Sequence, residues 1–440
     1  MSGRAEIAEK DGQSGLPGTA QLAPKVFVDA KSVPETERAP SSGIHFKRYL
    51  PSTIVSVAEH IQNYPNWEGY DFRVRIGPSS LREAHPEAFE EDRDVAEKLA
   101  LDLVKETRVK PDIIIVCSSH LPVPDESNPT AHHRANHVRS YLQEHWEEAG
   151  VAEDLDTEDP TNTHTESDAC SSFVMALKWL HDLDNGENGP IKNKNVLIVI
   201  DETEYRRTLP PPEKDDSKSR LIFSDGAIAM QFTYGEDFTV LGTTHHHEMD
   251  PEKNNWLTMQ TPPIPNDEYV HAVLPPYSDH FSMNGGEIFK YFTAQIKRDK
   301  LENGLAPYDL TGLDFAFIHQ ASIKIVRPMR DQVFPDAKYF GWGVMEYGNL
   351  SSASTVYDLA DGMRGYWRET LEPLADAFVD SSISVRNPNG KVLFDALKLK
   401  RQEKNLIQPG DTGVFVGFGA GLTWAAAIVR LGPPDESVAA

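Results

Sequence analysis

The sequence predicts an α/β fold in which helices cover the faces of β-sheets. Apolar runs of strand length alternate along the 440 residues with stretches of helical periodicity, and this alternation indicates a layered α/β architecture. Several of the apolar runs are continuous, as is typical of strands that are covered on both faces. The length is enough for two or three domains or for one large duplicated fold.

Seven apolar runs have the length of buried strands. They lie at 112–119, 195–201, 227–234, 238–244, 314–320, 412–419 and 422–429. Three segments between these runs repeat apolar residues every three or four positions and therefore predict amphipathic helices. These segments are 90–107, 170–183 and 285–299.

The two ends of the chain and three internal stretches depart from this pattern. Residues 1–42 are rich in Gly, Pro, Ser and charge and predict a disordered tail, whereas 433–440 predict a short frayed end. The acidic stretch 145–167, the Pro-rich stretch 205–219 and the amphipathic stretch 380–405 are interpreted as surface insertions.

Charge and cysteine content narrow the class of protein. With 43 basic and 68 acidic residues the net charge is −25, which excludes a general nucleic-acid binder and disfavours an anionic membrane surface as partner. Two cysteines cannot form a disulfide framework, so a reducing compartment is the default. No run approaches the roughly 20 apolar residues that span a bilayer. We expect a cytoplasmic protein.

The segment DACSSF at 168–173 contains a candidate nucleophile, Cys170. A cysteine at the start of a helix lies at the positive end of the helix dipole, near backbone N–H groups that stabilise a thiolate. This position predicts a lowered thiol pKa and a cysteine that can attack an acyl group. Considered alone, the same pattern also fits an inert core thiol, which is how Cys117 inside an apolar run is interpreted.

Two further polar residues lie at predicted element boundaries. His319 ends the apolar run of DFAFIHQ, and Asn349 lies in the turn of EYGNLSSAS before a helical pattern. Each could instead be a cap or a satisfied core group. Together with Cys170 they would supply a nucleophile and donors for developing oxyanion charge.

A glycine-rich segment, GVFVGFGAGLTW, follows an apolar run near the C-terminus. Gly417, Gly419 and Gly421 permit a close backbone approach or a positive φ angle. The segment is not a dinucleotide fingerprint, because the third glycine of G-x-G-x-x-G would fall on Leu422.

These motifs, in this order, resemble β-ketoacyl-acyl-carrier-protein synthase III of the thiolase superfamily. DACSSF, LIFSDGAIAM, SMNGGEIFK, FIHQASIKIV, YGNLSSAS and GFGAGLTWAAA carry the similarity, and GIHFKRYLPSTIVSVAEHI at 43–61 resembles the opening strand and helix of that family. The resemblance implies a thiolase-like five-layered αβαβα fold with two similar halves, 43–237 and 238–432, in a homodimer.

The resemblance also implies a chemistry. Cys170, His319 and Asn349 correspond to a catalytic triad for acyl transfer followed by decarboxylating condensation with a malonyl thioester. The backbone N–H groups of Cys170 and of Ala420 or Gly421 would form the oxyanion hole. Acyl and malonyl groups would arrive on coenzyme A or acyl carrier protein, and no resident cofactor or metal is expected. The insertions suggest a specialised fatty acid or polyketide pathway.

Several positions depart from the family pattern. Ser322 replaces an asparagine in the HQAN element, which predicts a local change in hydrogen bonding. Lys324 is the basic residue expected five positions after the histidine and could meet a pantetheine phosphate or a carrier-protein acid. Arg75 resembles the family's arginine for coenzyme A, whereas Trp67 lies too far upstream for the usual spacing. Lys218 and Arg220 both lie near the basic position expected before the SDG run. These departures therefore favour acyl carrier protein over coenzyme A as the acyl donor.

Other sites and functions remain open at this stage. His245, His246 and His247 could ligate a metal or lie in a solvent-facing segment, and His133 and His137 have the i, i+4 spacing of a metal site without its glutamate. A papain-like protease is set aside because its cysteine neighbourhood is absent. The alternatives to condensation are an acyltransferase that moves the acyl group to an alcohol or amine, and a degenerate partner subunit of a synthase.

Overall fold

The computed structural model describes the greater part of the chain between residues 43 and 432. The described residues are 43–51, 53–56, 80–83, 95–119, 133–151, 162–186, 190–203, 209, 219–254, 257–259, 281–364 and 407–432. The predicted tail 1–42, the predicted frayed end 433–440, the insertion 380–405 and nearly all of 205–219 lie outside them. Within the described part, none of the helices has both the length and the apolar character that crossing a membrane requires.

The described strands form two large sheets and two small ones. The strands are β1 (His45–Tyr49), β2 (Thr53–Ser56), β3 (Ser80–Glu83), β4 (Ile113–Cys117), β5 (Thr163–Glu166), β6 (Asn195–Glu202), β7 (Gly226–Thr233), β8 (Phe238–His247), β9 (Leu257–Met259), β10 (Phe281–Met283), β11 (Phe315–Ile318), β12 (Tyr339–Phe340), β13 (Thr412–Gly419) and β14 (Thr423–Leu431). The large sheets have the orders β1-β7-β6-β4-β5 and β12-β11-β13-β14-β8.

The two large sheets repeat one topology. In the first, β5, β4 and β6 run parallel, and β7 and β1 follow antiparallel. In the second, β12, β11 and β13 run parallel, and β14 and β8 follow antiparallel. The chain therefore builds the same five-stranded arrangement twice, which is the duplication that the thiolase-like fold implies.

Helices separate and cover these sheets. The described helices are α1 (Val95–Thr107), α2 (His133–Glu144), α3 (Trp146–Ala149), α4 (Ser172–Asp184), α5 (Pro251–Asn254), α6 (Gly285–Gln295), α7 (Arg298–Gly304), α8 (Ile323–Gln332), α9 (Val344–Tyr347) and α10 (Ser354–Arg364). Residues of α4 and α10 pack in one apolar cluster with both large sheets. The outer face of the first sheet packs on α1 and α2, and that of the second packs on α6 and α8.

The five layers explain the continuous apolar runs. In β4, Ile113, Ile115 and Cys117 face the central helices, whereas Ile114 and Val116 face the outer layer. Both sets are buried, so alternation between apolar and polar residues is lost in the sequence. The prediction of strands covered on both faces is confirmed.

Two local predictions were wrong. The stretch 145–167 is not wholly an insertion, because it begins with α3 and ends with β5, a strand of the first large sheet. The segment 43–61 opens with a strand, as expected, and Thr53–Ser56 form a second strand that pairs with Ser80–Glu83; residues 57–61, where the expected helix would continue, lie outside the described residues. The helix predicted at 285–299 ends at Gln295, and a separate helix begins at Arg298.

Candidate active site

Cys170 lies in a tight turn between β5 and α4. Residues Ala169–Ser171 form a single turn of 3-10 helix, and α4 begins at Ser172. Ala169 has a φ of 46°, in the left-handed region that residues with a side chain rarely adopt. Such a conformation persists where the surrounding packing imposes it, and it is common beside reactive groups. The location at a helix start agrees with the prediction.

The glycines of β13 allow this strand to pass directly against the nucleophile turn. A Cβ atom on Gly419 would lie 2.8 Å from the backbone nitrogen of Cys170, and one on Gly417 would lie 2.9 Å from the Cα atom of Ser171. Neither distance leaves room for a side chain. The predicted close approach is therefore made to the cysteine turn.

His319 lies at the C-terminal end of β11. Its backbone N–H donates to the carbonyl oxygen of Val416 in β13 at 2.7 Å, which fixes the residue against the second sheet. The ring nitrogen Nδ1 lies 3.1 Å from the carbonyl oxygen of Ser351 and 3.2 Å from the hydroxyl oxygen of Ser354. Burial lowers the pKa of His319 to about 3, so its imidazole is neutral at physiological pH.

Asn349 lies in the turn between α9 and α10. Its backbone N–H donates to Ile222 and its carbonyl oxygen accepts from Ser224, each at 2.9 Å. The side-chain Oδ1 atom accepts the backbone N–H of Ser351 at 2.8 Å. Because Oδ1 is engaged as an acceptor, the side chain has its Nδ2 hydrogens to offer a substrate as donors.

Ser351 joins the three predicted catalytic residues. Its hydroxyl donates to Sγ of Cys170 at 3.2 Å, its carbonyl oxygen faces His319, and its N–H donates to Asn349. Its φ of 50° places it in the left-handed region, and the residue is fully buried. Sequence reasoning missed Ser351, although the paired serines after Asn349 were a visible signal.

A buried carboxyl group lies behind this site and was also missed. Glu202, the last residue of β6, accepts the hydroxyl of Ser119 at 2.8 Å and the hydroxyl of Ser352. Burial raises the pKa of Glu202 to about 8, against the lowering effect of these hydrogen bonds. The carboxyl group therefore exchanges a proton near neutral pH.

The thiol of Cys170 is less acidic than its position predicted. Burial raises its pKa to about 12, because Cys170 is only 8% exposed, and the nearby charge of Glu202 acts in the same direction. The hydrogen bonds from Ser351 and from backbone N–H lower the pKa by less than burial raises it. Cys170 is a thiol in this structure, so a reaction requires an acceptor for its proton.

The remaining predicted site residues occupy varied places. Ala420 and Gly421 lie in the turn after β13, next to the glycine that contacts Cys170, and Gly421 has a φ of 71°. Lys324 is exposed in the first turn of α8. Arg220 is buried and donates to the carbonyl oxygen of Leu209 at 3.1 Å, so its role in substrate binding stays a prediction. Arg75 lies outside the described residues.

The histidine pairs and triplets do not converge on a metal site. His245, His246 and His247 end β8 and pair with β14, and Nδ1 of His247 lies 2.7 Å from Thr423 Oγ1. Nε2 of His137 lies 3.6 Å from Glu97. Over the described ranges, no group of three or more His, Cys, Asp or Glu side chains has the geometry to hold a metal ion.

Comparison with known proteins agrees with the fold. Residues 396–431 match the family model described as 3-oxoacyl-[acyl-carrier-protein (ACP)] synthase III C terminal. The chain is 24% identical over 401 residues to a β-ketoacyl-[acyl-carrier-protein] synthase III of Clostridium tetani, covering 87% of this chain and 96% of that protein.

Solved structures of similar proteins share the fold. A 3-oxoacyl-(acyl carrier protein) synthase III of Pseudomonas aeruginosa has a TM-score of 0.56 at 19% identity, covering 88% of this chain and 96% of that one. The priming β-ketosynthase of the R1128 polyketide biosynthetic pathway has a TM-score of 0.55 at 20% identity, covering 89% and 96%. The chain therefore shares the thiolase-like fold of these structures and is similar in sequence to β-ketoacyl-[acyl-carrier-protein] synthase III over most of its length.

Proposed function

We propose that the enzyme transfers an acyl group from a thioester to Cys170 and then condenses it with a malonyl thioester, with loss of carbon dioxide. The observation that carries the proposal is the convergence of Cys170, His319 and Asn349 on the three polar groups of Ser351. This convergence supports one site in which a nucleophile and two neutral donors can act on the same pair of substrates.

In the first step Cys170 sulfur attacks the carbonyl carbon of the acyl thioester. The new S–C bond forms, the bond to the donor sulfur breaks, and the proton of Cys170 ends on the departing thiol. Oxyanion charge develops on the carbonyl oxygen, where preorganised donors contribute most to catalysis. The backbone N–H groups of Cys170 and of Ala420 or Gly421 are our candidates, because β13 brings the turn 420–422 next to the nucleophile.

In the second step the bond between the malonyl carboxylate and its α-carbon breaks. Carbon dioxide leaves, the electron pair stays on the α-carbon as an enolate, and this carbon attacks the acyl group on Cys170. The Cys170 sulfur leaves as a thiolate when the β-ketoacyl thioester forms, and it takes up one proton from water to restore the free thiol. We assign Nε2 of His319 and Nδ2 of Asn349 to the enolate oxygen, because the protein engages the opposite atoms, Nδ1 and Oδ1.

This role requires one tautomer of His319. Nε2 donates only when Nδ1 is an acceptor, and a carbonyl oxygen cannot donate to Nδ1. The Ser354 hydroxyl lies 3.2 Å from Nδ1 and 2.8 Å from the Ser351 carbonyl oxygen, so its hydrogen must turn from that carbonyl to Nδ1 for Nε2 to donate. A neutral imidazole also avoids a positive charge that would hold the malonyl carboxylate in place. The lowered pKa of His319 supports a neutral imidazole in this role.

The alternatives use the same nucleophile or none. An acyltransferase would pass the acyl group to an alcohol or amine and would have no need for two donors facing an enolate. A degenerate partner subunit would not require the nucleophile, the histidine and the asparagine together. The presence of all three favours condensation.

The substrates and assembly follow from the same proposal. We expect acyl carrier protein or coenzyme A to deliver the thioesters, with Lys324, exposed at the start of α8, as a contact for a phosphate or an acidic carrier protein. A homodimer, a cytoplasmic location and a specialised fatty acid or polyketide pathway are expectations of the resemblance. Both cysteines of the chain are free thiols, which is compatible with a reducing compartment.

Intact-mass spectrometry tests the first step. The protein is mixed with a panel of acyl thioesters on coenzyme A and on carrier protein, and each acyl group should add its mass once. Cys170→Ala should abolish the gain. Cys117→Ala is the matched control, because Cys117 is the other buried free thiol and should leave acylation intact. Failure of every donor to acylate Cys170 would refute the proposal.

A further inference from the structure

A continuous hydrogen-bonded path links Cys170 to the buried Glu202. Cys170 Sγ lies 3.2 Å from Ser351 Oγ, Ser351 Oγ contacts Ser119 Oγ, and Ser119 Oγ lies 2.8 Å from Glu202 Oε1. Ser352 binds the same carboxyl oxygen through its hydroxyl. The path joins two ionisable groups through two hydroxyls, and the synthase chemistry above does not use its far end.

Every member of the path is shielded from solvent. Glu202 and Ser351 are fully buried, and Ser119, like Cys170, is less than a tenth exposed. The path therefore offers a proton released by Cys170 a route through hydrogen bonds inside the protein.

When Cys170 and Glu202 share one ionisable proton, hydrogen counting allows two ordered arrangements of the path. In one, the thiol donates to Ser351, Ser351 donates to Ser119, and Ser119 donates to an ionised carboxylate. In the other, a protonated carboxyl donates to Ser119, Ser119 donates to Ser351, and Ser351 donates to a thiolate. Each hydroxyl has one hydrogen, so a mixed arrangement leaves two oxygens or two hydrogens facing each other.

His319 is poorly suited to accept this proton. Its lowered pKa disfavours the imidazolium at neutral pH, and a charged ring would oppose decarboxylation. Glu202, by contrast, has a pKa raised to about 8, so it can both take up and release a proton near neutral pH. Of the two groups, the Glu202 carboxylate is therefore better suited to accept the proton of Cys170.

We propose that Glu202 is the proton acceptor for Cys170, reached through the hydroxyls of Ser351 and Ser119. As the sulfur attacks the acyl thioester, its proton moves to Ser351, the proton of Ser351 moves to Ser119, and that of Ser119 moves to Glu202. The reverse shift protonates the departing thiolate and restores the carboxylate. The catalytic purpose of the path rests on the proposed function, but its effect on the thiol does not require a substrate.

Alkylation of Cys170 by iodoacetamide measures that effect, because the thiol must give up its proton as the sulfur attacks the reagent and a general base speeds this transfer. We expect the rate to rise through the pKa of Glu202, reach a shoulder, and rise again as the thiol itself ionises. Glu202→Gln should abolish the lower inflection and slow alkylation at pH 9 by about tenfold or more. The rate is followed at Cys170 by peptide mass spectrometry.

The direction in which the alkylation rate changes in Glu202→Gln distinguishes proton transfer to Glu202 from an effect of its charge alone. The charge of Glu202 raises the thiol pKa, so a carboxylate that acted only through its charge would make Glu202→Gln react faster. Equal or faster alkylation of this variant at pH 9 overturns the proposal. Ser119→Ala retains the carboxylate but breaks the path, and it should also lose the inflection. This variant decides the question if Glu202→Gln does not fold.

Two variants serve as matched controls for neighbouring groups. Ser352→Ala removes a donor to Glu202 that is off the path, so the inflection should persist and move to higher pH. Asp168, paired with Glu166 before the nucleophile turn, has a pKa raised to about 7, and Asp168→Asn should retain the inflection. Asp201 beside Glu202 and Cys117 in β4 are further ionisable groups whose charges interact with Glu202. Loss of the inflection in Asp168→Asn would refute the assignment.

The proposal and the enzyme function can fail separately. A normal inflection in alkylation with no acylation by any thioester would refute the proposed function and retain the path. If the protein acylates and condenses but its alkylation profile has no lower inflection and is unchanged in Glu202→Gln and Ser119→Ala, the proposed function is retained and the proton path is refuted.

Discussion

Replacing Gly419 with alanine should damage the nucleophile turn without touching a polar group. The added Cβ would lie 2.8 Å from the backbone nitrogen of Cys170, 3.2 Å from its Cβ and 3.3 Å from the Cβ of Ala169. Ordinary van der Waals contact begins at 3.4 Å, so the strand and the turn must separate by roughly half an ångström. The obstacle includes backbone, which cannot rotate away as a flexible side chain can.

The magnitude follows from overpacking and from displacement of reacting groups. Overpacking a dense interior costs about 1–3 kcal/mol, which should lower the denaturant midpoint measurably. A misplacement of about 1 Å can cost about a hundredfold in rate, so a shift of about half that size should slow acylation of Cys170 by about tenfold or more. The assay is the time course of the acyl mass gain.

Gly285→Ala is the matched control for this prediction. A Cβ on Gly285, in the first turn of α6, would meet nothing within 4 Å. The control should therefore retain both stability and acylation rate. Wild-type acylation by Gly419→Ala would refute the inference that β13 fixes the nucleophile turn.

Three further predictions follow from the site. His319→Ala and Asn349→Asp should retain acylation of Cys170 but slow carbon dioxide release from malonyl thioester by about a hundredfold, because each removes a donor to the enolate; equal slowing of both steps would contradict these roles. The pKa of His319 is lowered from 6.5 to about 3 in the folded protein, so the unfolded state binds more protons and stability should fall as pH drops from 6.5 towards 3. The pKa of Glu202 is raised from 4.5 to about 8, so the folded state binds more protons and stability should fall as pH rises from 4.5 towards 8. Denaturant titrations should show that this second trend is flattened in Glu202→Gln. Lys324→Glu should raise KM for carrier-protein thioesters more than for coenzyme A thioesters if the exposed lysine meets an acidic carrier, and the difference should shrink in high salt.

The architecture could be predicted from the sequence more completely than the individual strands. Continuous apolar runs predicted strands covered on both faces, and the order of the motifs implied the duplicated five-layered fold. The strand Thr163–Glu166 was missed because its short polar sequence lies within an acidic stretch and pairs only along one edge of the sheet. Such a strand depends on its neighbour β4 and has little apolar pattern of its own.

Some residues of the candidate site could be predicted from the sequence and others could not. Cys170, His319 and Asn349 were visible because each lies at an element boundary beside an apolar run. Ser351, Ser119 and Glu202 were not, because a hydrogen-bonded path between residues 232 positions apart leaves no local pattern. The direction of the Cys170 pKa shift was also beyond sequence reasoning, since a helix start predicts lowering and only three-dimensional packing reveals the burial that outweighs it.

A single turnover of isolated acyl-enzyme with malonyl thioester tests the central claim most directly. The account predicts carbon dioxide and a β-ketoacyl thioester in equal amounts, with the mass of Cys170 returning to that of the free thiol. An acyl-enzyme that malonyl thioester cannot discharge, but that an added alcohol or amine does discharge without carbon dioxide release, would contradict condensation and establish acyl transfer instead.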